Sequence, residues 1–402
     1  MENKIKKPEL LAPAGDLERL KIAMLYGADA VYIGGNVFGL RANATNFSLD
    51  DIKEAVKFAH ELDKKVYVTV NITLHNKEVD SLVEYLKELN TIGVDAIIVS
   101  DPAVIEIAHA NTNLEIHLST QQSTLNYEAI KFWKKQGVTR IVLGRETSRE
   151  EIIEIINNVD IEIEIFIHGA MCSSYSGRCV LSNFMTARDA NRGGCSQICR
   201  WTFDLKNDKG EVLNAEKDFT FSSKDLSQLR YIDEMIKMGI TSFKIEGRMR
   251  SAYYIATIVN TYRKAIDEYC QNPETYEYNT LYEQILSNCA NRESISQFFD
   301  GNYDESAQYY SGREETSNQD FLGLVKDYNP ETKIALIEQR NYFKTGDIVE
   351  FFGPNIKDFT YTIHEIYDES GNIIDVARHP QQLIKMKIDN TLFSNDMMRI
   401  KR

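Results

Sequence analysis

Glu9-Leu10-Leu11-Ala12-Pro13-Ala14-Gly15-Asp16 is a short, almost wholly apolar run that stops at a turn. Such a run suits a strand buried on both faces of a parallel sheet. The turn behind it separates two architectures. An open doubly wound sheet favours a glycine-rich phosphate loop after its first strand, and Ala12-Pro13-Ala14-Gly15-Asp16 offers none. A closed (β/α)8 barrel makes no such demand.

The alternation continues outward from there. Ala30–Gly35, Lys65–Asn71, Ala96–Asp101, Glu115–Thr120, Arg140–Arg145, Ile161–Gly169 and Phe243–Arg248 read as seven further strands. Between them, Ile52, Val56, Ala59 and Leu62 share one helical face, as do Leu82, Tyr85, Leu86 and Leu89. Gly27, Gly93, Gly137 and Gly239 fall where those helices should end in left-handed caps. Eight strand–helix units in series predict an α/β fold, a (β/α)8 TIM-type barrel over residues 1–270. The series is interrupted once, after the seventh strand, by an insertion at about 170–222. Its place assigns it to the C-terminal face, where barrel enzymes keep their chemistry. Within it, Trp201–Phe221 reads as a hairpin turning at Asn207-Asp208-Lys209-Gly210. Tyr253–Tyr269 reads as the closing helix and 271–320 as a connector. From Phe321 onward Phe321–Lys326, Lys333–Glu338, Asp347–Phe352, Phe359–Ile366 and Asn372–Ala377 predict a small all-β, barrel-like domain over 321–402.

The 402 residues exceed one modest core, which agrees with a barrel plus a smaller domain. A net charge of −14 supplies no global field toward nucleic acid, so any RNA contact rests on local patches. The basic residues at the start have no apolar run behind them, and no stretch reaches the roughly 18 apolar residues of a membrane span. The chain reads as cytoplasmic with no membrane partner. In that reducing compartment, clustered cysteines point to metal or redox chemistry before disulfides.

Four of the six cysteines cluster: Cys172, Cys179, Cys195 and Cys199, with six, fifteen and three residues between successive members. Four thiolates close in sequence suit an iron–sulfur cluster or zinc. Zinc knuckles usually place two to four residues between paired cysteines, and only the second pair complies. Spacing alone therefore leans to iron–sulfur. Cys270 and Cys289 stand apart and read as core thiols.

The run from Glu164 through Phe166, Gly169-Ala170-Met171-Cys172, Gly177-Arg178-Cys179-Val180-Leu181 and Ser182 resembles the defining motif of the collagenase-like peptidase family. Asp189-Ala190-Asn191-Arg192-Gly193-Gly194-Cys195 and Cys199-Arg200-Trp201 resemble the second half of its cysteine block. Leu11–Asp16, Lys244–Arg248, Glu338–Asn341 and Gly346-Asp347 match as well. The resemblance covers nearly the whole chain and is nearest to the bacterial tRNA wobble-uridine hydroxylation proteins. It implies a 4Fe–4S cluster on Cys172, Cys179, Cys195 and Cys199, and oxygen-independent 5-hydroxylation of a wobble uridine with prephenate as hydroxyl donor. It further implies tRNA as partner and admits a partner chain of the same family. Other members act on 23S rRNA or in quinone synthesis, and the family's label keeps a peptidase as the alternative.

Other candidates have two readings each. His168, ending the seventh strand, either serves the reacting atoms or bonds backbone as a strand-end histidine. Arg145, Glu246 and Arg248 end the sixth and eighth strands: the arginines suit the carboxylates of a donor such as prephenate with Glu246 near the reacting atoms, or an Arg–Glu ion pair bracing the rim. Gln121 and Gln122 suit a base edge or a helix cap. Between Cys172 and Trp201, Arg178, Arg188, Arg192 and Arg200 stand against one acid, Asp189. That patch suits an RNA backbone or the neutralisation of thiolates. No His-Glu-x-x-His or Gly-x-Ser-x-Gly motif supports a peptidase.

Overall fold

The computed structural model describes residues 6–40, 46–214, 219–289, 292–301, 303–309 and 319–401. Strands and helices alternate from the start: β1 (Glu9–Pro13), α1 (Leu17–Leu25), β2 (Ala30–Gly34), α2 (Leu49–His60), β3 (Lys65–Val70), α3 (Val79–Ile92), β4 (Ala96–Val99) and α4 (Pro102–Asn111). Then come β5 (Glu115–Leu118), α5 (Tyr127–Lys135), β6 (Arg140–Val142), α6 (Arg149–Asn158) and β7 (Glu162–Gly169). After the insertion, which holds the short α7 (Leu181–Thr186), come β8 (Asp225–Ser227), α8 (Ile232–Met238), β9 (Ser242–Ile245) and α9 (Ala252–Gln271). β1 pairs in parallel with both β2 and β9, and β9 pairs in parallel with β7, so eight strands close a barrel.

Local chemistry sets the helix ends. Ser48 and Asp51 form a reciprocal capping box at the start of α2. Gly93 and Gly239 end α3 and α8 at φ of 88° and 87°, a conformation that a Cβ disfavours.

Two strands beside the barrel were not anticipated. β8 runs antiparallel to the end of β7, pairing Ser227 with His168, and β10 (Ser294–Ile295) adds in parallel to β8. The described residues of 271–309, within the expected connector 271–320, are laid along the barrel. There α10 (Thr280–Cys289) packs on α9 through the Tyr282–Glu268 hydrogen bond, and Gln308 donates to the Thr220 carbonyl at 2.8 Å. Residues 290–291, 302 and 310–318 of that stretch lie outside the described residues.

The C-terminal domain is antiparallel. Its strands are β11 (Gln319–Asn329), β12 (Ile334–Gln339), β13 (Phe343–Lys344), β14 (Ile348–Phe352), β15 (Phe359–Thr362), β16 (Ile366–Tyr367), β17 (Ile373–Ile374), β18 (Val376–Ala377), β19 (Leu383–Lys387) and β20 (Met397–Lys401). Sequence reasoning passed over β19 and β20, although β20 lies between β11 and β14. Leu322, Ile337, Phe351, Ile384 and Met398 fill this core. The domain docks along α1 and α9: Tyr253 stacks on Phe321 with centroids 5.2 Å apart, and Tyr26 donates to the Asn395 carbonyl at 2.7 Å. Lys264–Asp358 at 2.9 Å and Arg340–Glu18 at 3.2 Å flank that apolar seam. Among the described residues no helix is long and apolar enough to cross a membrane.

Candidate functional site

The barrel lumen is charged in its lower layer. Period-two alternation brings Glu9, Tyr67, Arg140, Glu162, Glu164, Ser242 and Lys244 together from five strands. Arg140 contacts Glu9 at 2.5 Å, Glu162 at 2.7 Å and Glu164 at 3.2 Å. Lys244 reaches Glu164 at 2.7 Å, and Tyr67 and Ser242 donate to Glu9 at 2.6 and 2.9 Å. Burial pushes the Glu164 carboxyl up, but the Lys244 and Arg140 charges more than reverse this and hold it at about 2. At Lys244, burial outweighs the pairing and lowers the ammonium. Above this layer lie two rings. Lys244 Nζ is 4.6 Å from the Tyr32 centroid and 5.4 Å from that of Phe166, and the Arg145 guanidinium covers Phe166 at 3.8 Å.

The mouth holds the predicted strand-end residues. Arg145 donates to the Ala170 carbonyl at 2.6 Å, so it ties the sixth strand to the root of the insertion. Arg248 is buried, with Nη1 3.4 Å from Thr69 Oγ1. Its side chain crosses β2 so closely that a Cβ on Gly34 would collide with Nη1, and its carbonyl oxygen leaves no room for a Cβ on Gly15. The two motifs Leu11–Asp16 and Lys244–Arg248 therefore meet in space, and glycine is what allows it. Gln121 is buried and accepts from Asn71 at 2.9 Å; Gln122 accepts from Arg178 at 3.2 Å and donates to the Ser100 carbonyl.

The insertion lies across the mouth. Arg178 meets Gln122 beyond β5, and Ser176 meets Glu146 beyond β6 at 2.7 Å. Arg192 meets Glu78 and the Thr73 carbonyl beyond β3. Arg192 is thus a brace, and its hydrogen bond holds the Glu78 carboxyl down at about 2; the phosphate contact expected of it goes unsupported. Arg178 and Arg188 are exposed and Arg200 is half-buried. Under the insertion lies a cavity of about 450 Å³, lined by Thr73, Asp101, Gln121, Gln122, Arg178 and Cys179 among others.

All four clustered cysteines are free thiols, Cys172 and Cys195 exposed, Cys179 and Cys199 partly buried. Asn191 clamps Cys179, accepting from its N–H at 3.3 Å and donating to its carbonyl at 3.0 Å. Cys172 Sγ has Ser174 Oγ at 3.0 Å. Burial raises the Cys199 thiol, a hydrogen bond with Ser173 lowers it, and the nearby Cys172 and Cys195 raise it further. Among the described residues no three His, Cys, Asp or Glu side chains converge on a single ion. A cluster of several irons and sulfides spaces its thiolates more widely than one zinc ion does. The all-sulfur donor set over the mouth fits such a cluster in kind.

His168 is corrected by the structure. A register shift between Phe166 and His168 pairs His168 with Ile245, an outward-facing position packed in the shell between barrel and helices. Its ring lies against Tyr262 and Tyr254 of α9, with centroids 5.6 and 6.1 Å away. Burial first, then the Arg250 charge, depresses the imidazole to about 3, so it is neutral. It packs behind the strand end and does not face the mouth. Glu246 is half-buried and abuts Gly169, where a Cβ would lie 2.7 Å from its own Cβ. Its charge acts on Asp225, a buried carboxylate that sequence reasoning missed; Asp225 is paired with Arg292 at 2.7 Å and Arg250 at 3.6 Å. Burial raises Asp225.

The model of peptidase family U32 matches residues 15–309, and that of the peptidase family U32 C-terminal domain matches residues 317–399. A tRNA hydroxylation protein P1 of Bacillus subtilis is 52% identical over 400 residues, 98% of this chain and 95% of the relative. A 23S rRNA 5-hydroxycytidine synthase of Escherichia coli is 44% identical over 259 residues, 64% of this chain and 39% of that protein. A collagenase of Porphyromonas gingivalis is 30% identical over 378 residues, 89% of each chain.

Proposed function

This chain belongs to peptidase family U32, and from that premise we propose that it is an RNA hydroxylase acting on tRNA in the cytoplasm. The proposed reaction is oxygen-independent 5-hydroxylation of a wobble uridine, with prephenate as hydroxyl donor. The observation that carries the reading is the near-full-length likeness to a tRNA hydroxylation protein. The mouth supports it, with cationic and amide side chains around a cavity that a base could enter.

Cys172, Cys179, Cys195 and Cys199 would hold a 4Fe–4S cluster, which when bound supplies redox-active, Lewis-acidic iron beside the mouth. Arg145 and Arg248 bind the carboxylates of the donor, as planar guanidinium groups do. Glu246 holds or moves a proton near the reacting carbon. Gln121 offers its amide N–H to a base edge, since its oxygen already accepts from Asn71. Arg178, Arg188 and Arg200 meet phosphates, and the base leaves its stack to enter, as chemistry on a base requires.

The peptidase reading draws on the collagenase relative. It would need a cysteine activated by a base. Cys172 has Ser174 beside it, and His168 faces α9, so these two form no nucleophile–base pair. Nucleoside mass spectrometry of tRNA and rRNA from a deletion strain tests the proposal. Loss of 5-hydroxyuridine-derived nucleosides from tRNA is expected. Unchanged tRNA, in a strain without a redundant homologue, rejects the tRNA assignment. Whether the purified chain restores the modification alone tests the need for a partner of the same family.

A further inference from the structure

α7 has its polarity reversed. A short surface helix normally turns its apolar side inward. Here the buried residue is Ser182, whose hydroxyl accepts from the Ser196 N–H at 3.0 Å, and Thr186 bonds Ser196 at 2.9 Å. Leu181, Phe184 and Met185, at the i, i+3 and i+4 positions of one face, are exposed instead, Phe184 by 84%. Val180, directly before the helix, extends this patch and is more than half exposed. Contiguous exposed apolar surface of this kind marks a binding site more often than chance.

Charge decides what binds. Arg178 precedes the helix and Arg188 stands just past its end, both exposed, and the nearby sequence contains one acid, Asp189. The protein as a whole carries −14, so the cationic balance of this segment runs against that of the chain. Arg178 and Val180 also line the cavity beneath the insertion, so the patch and the cavity share an edge. Arginines flanking an exposed ring match a single-stranded polynucleotide, with phosphates on the cations and a base on the ring.

We propose that α7 is a stacking platform for single-stranded RNA. The nucleotide adjoining the target lays its base on Phe184, while Arg178 and Arg188 hold the phosphates on either side, and the target base drops into the neighbouring cavity. The inference rests on the RNA reading above and assigns it a surface.

The test uses the anaerobically purified full chain and a fluorescent tRNA anticodon stem–loop with an unmodified wobble uridine, monitored by anisotropy. Phe184→Ala should weaken binding by about 5-fold or more, and Phe184→Trp should keep wild-type affinity within about 2-fold, because each stacked base contributes through its ring face. Phe184→Ala should leave the slope of log affinity against log salt unchanged, since no charge is lost; Arg188→Glu should make it shallower. Phe184 is almost wholly exposed, so its removal opens no cavity. Unaltered affinity in Phe184→Ala overturns the platform and leaves the RNA reading standing. So does a fall in self-association by sedimentation without a change in RNA affinity, which would make the patch an interface between proteins. If the wild-type chain binds no stem–loop, the RNA reading itself fails, and the platform with it.

Discussion

Replacing Glu164 by glutamine removes one charge from the middle of the barrel lumen while keeping volume and an acceptor oxygen. Glu164 is fully buried and receives Lys244 at 2.7 Å and Arg140 at 3.2 Å. Arg140 retains Glu9 and Glu162, but the buried Lys244 ammonium loses its 2.7 Å carboxylate. Removing one partner of a buried pair costs about 3–5 kcal/mol, which corresponds to a fall of roughly 5–9 °C in Tm for a barrel of about 270 residues. Differential scanning fluorimetry at pH 7 reads it. The double variant Glu164→Gln/Lys244→Met removes the orphaned cation and should recover at least half of the loss. The pH dependence comes from the depressed Glu164 carboxyl. Its contribution is complete above the unfolded carboxylate range, about 4.3, and is lost as pH falls toward about 2. The gap between wild type and the single variant should therefore close in strong acid. A Tm change below about 2 °C at pH 7, or a double variant no better than the single, would refute a structural role for this ion layer.

Alanine at Cys172, Cys179, Cys195 or Cys199 should sharply lower iron in anaerobically prepared protein, while Cys270→Ala should not; stoichiometric zinc without iron would reject the cluster. Arg248→Lys keeps the charge but loses the fork, and should lower modification of tRNA by about 10-fold or more with iron content intact. Gly34→Ala should act through the same residue, because the new Cβ displaces the Arg248 guanidinium; wild-type turnover in both variants rules out donor binding there. His168→Gln should flatten the loss of stability with falling pH. The native imidazole is depressed to about 3, so its contribution is complete above the unfolded pKa of about 6.5 and declines below it. A Gln variant as acid-sensitive as wild type excludes this residue as the cause.

The eight barrel strands were legible to within three residues at either end because strands buried on both faces leave unbroken apolar runs. The same habit concealed the ion layer. Ile161–Gly169 reads as apolar, yet its glutamates fall on alternate positions, a period-two signal that marks one face as charged. Glu9, Arg140 and Lys244 show it less plainly, each being the one charge on its strand's lumen side. His168 was misplaced for a different reason. Counting by twos from Phe166 turns it into the lumen, and a bulge, which no local sequence announces, turns it out again. Strands β8 and β10 are too short to carry a pattern, and β19 and β20 are specified by partners distant in sequence. The four clustered cysteines stand out in the sequence by residue type alone, and the ligand role proposed for them rests on that chemistry.

The seam between the barrel and the β domain has a mechanical consequence. Arg340 grips α1 near its start and Tyr26 holds the domain near its end, while Tyr253 and Lys264 do the same along α9. The contacts span α1 and the first two-thirds of α9, so sliding the β domain along the barrel would break ion pairs, a hydrogen bond and a ring stack together. On the proposed reading, a tRNA that touched both halves would meet them at a set separation, as between the jaws of a calliper.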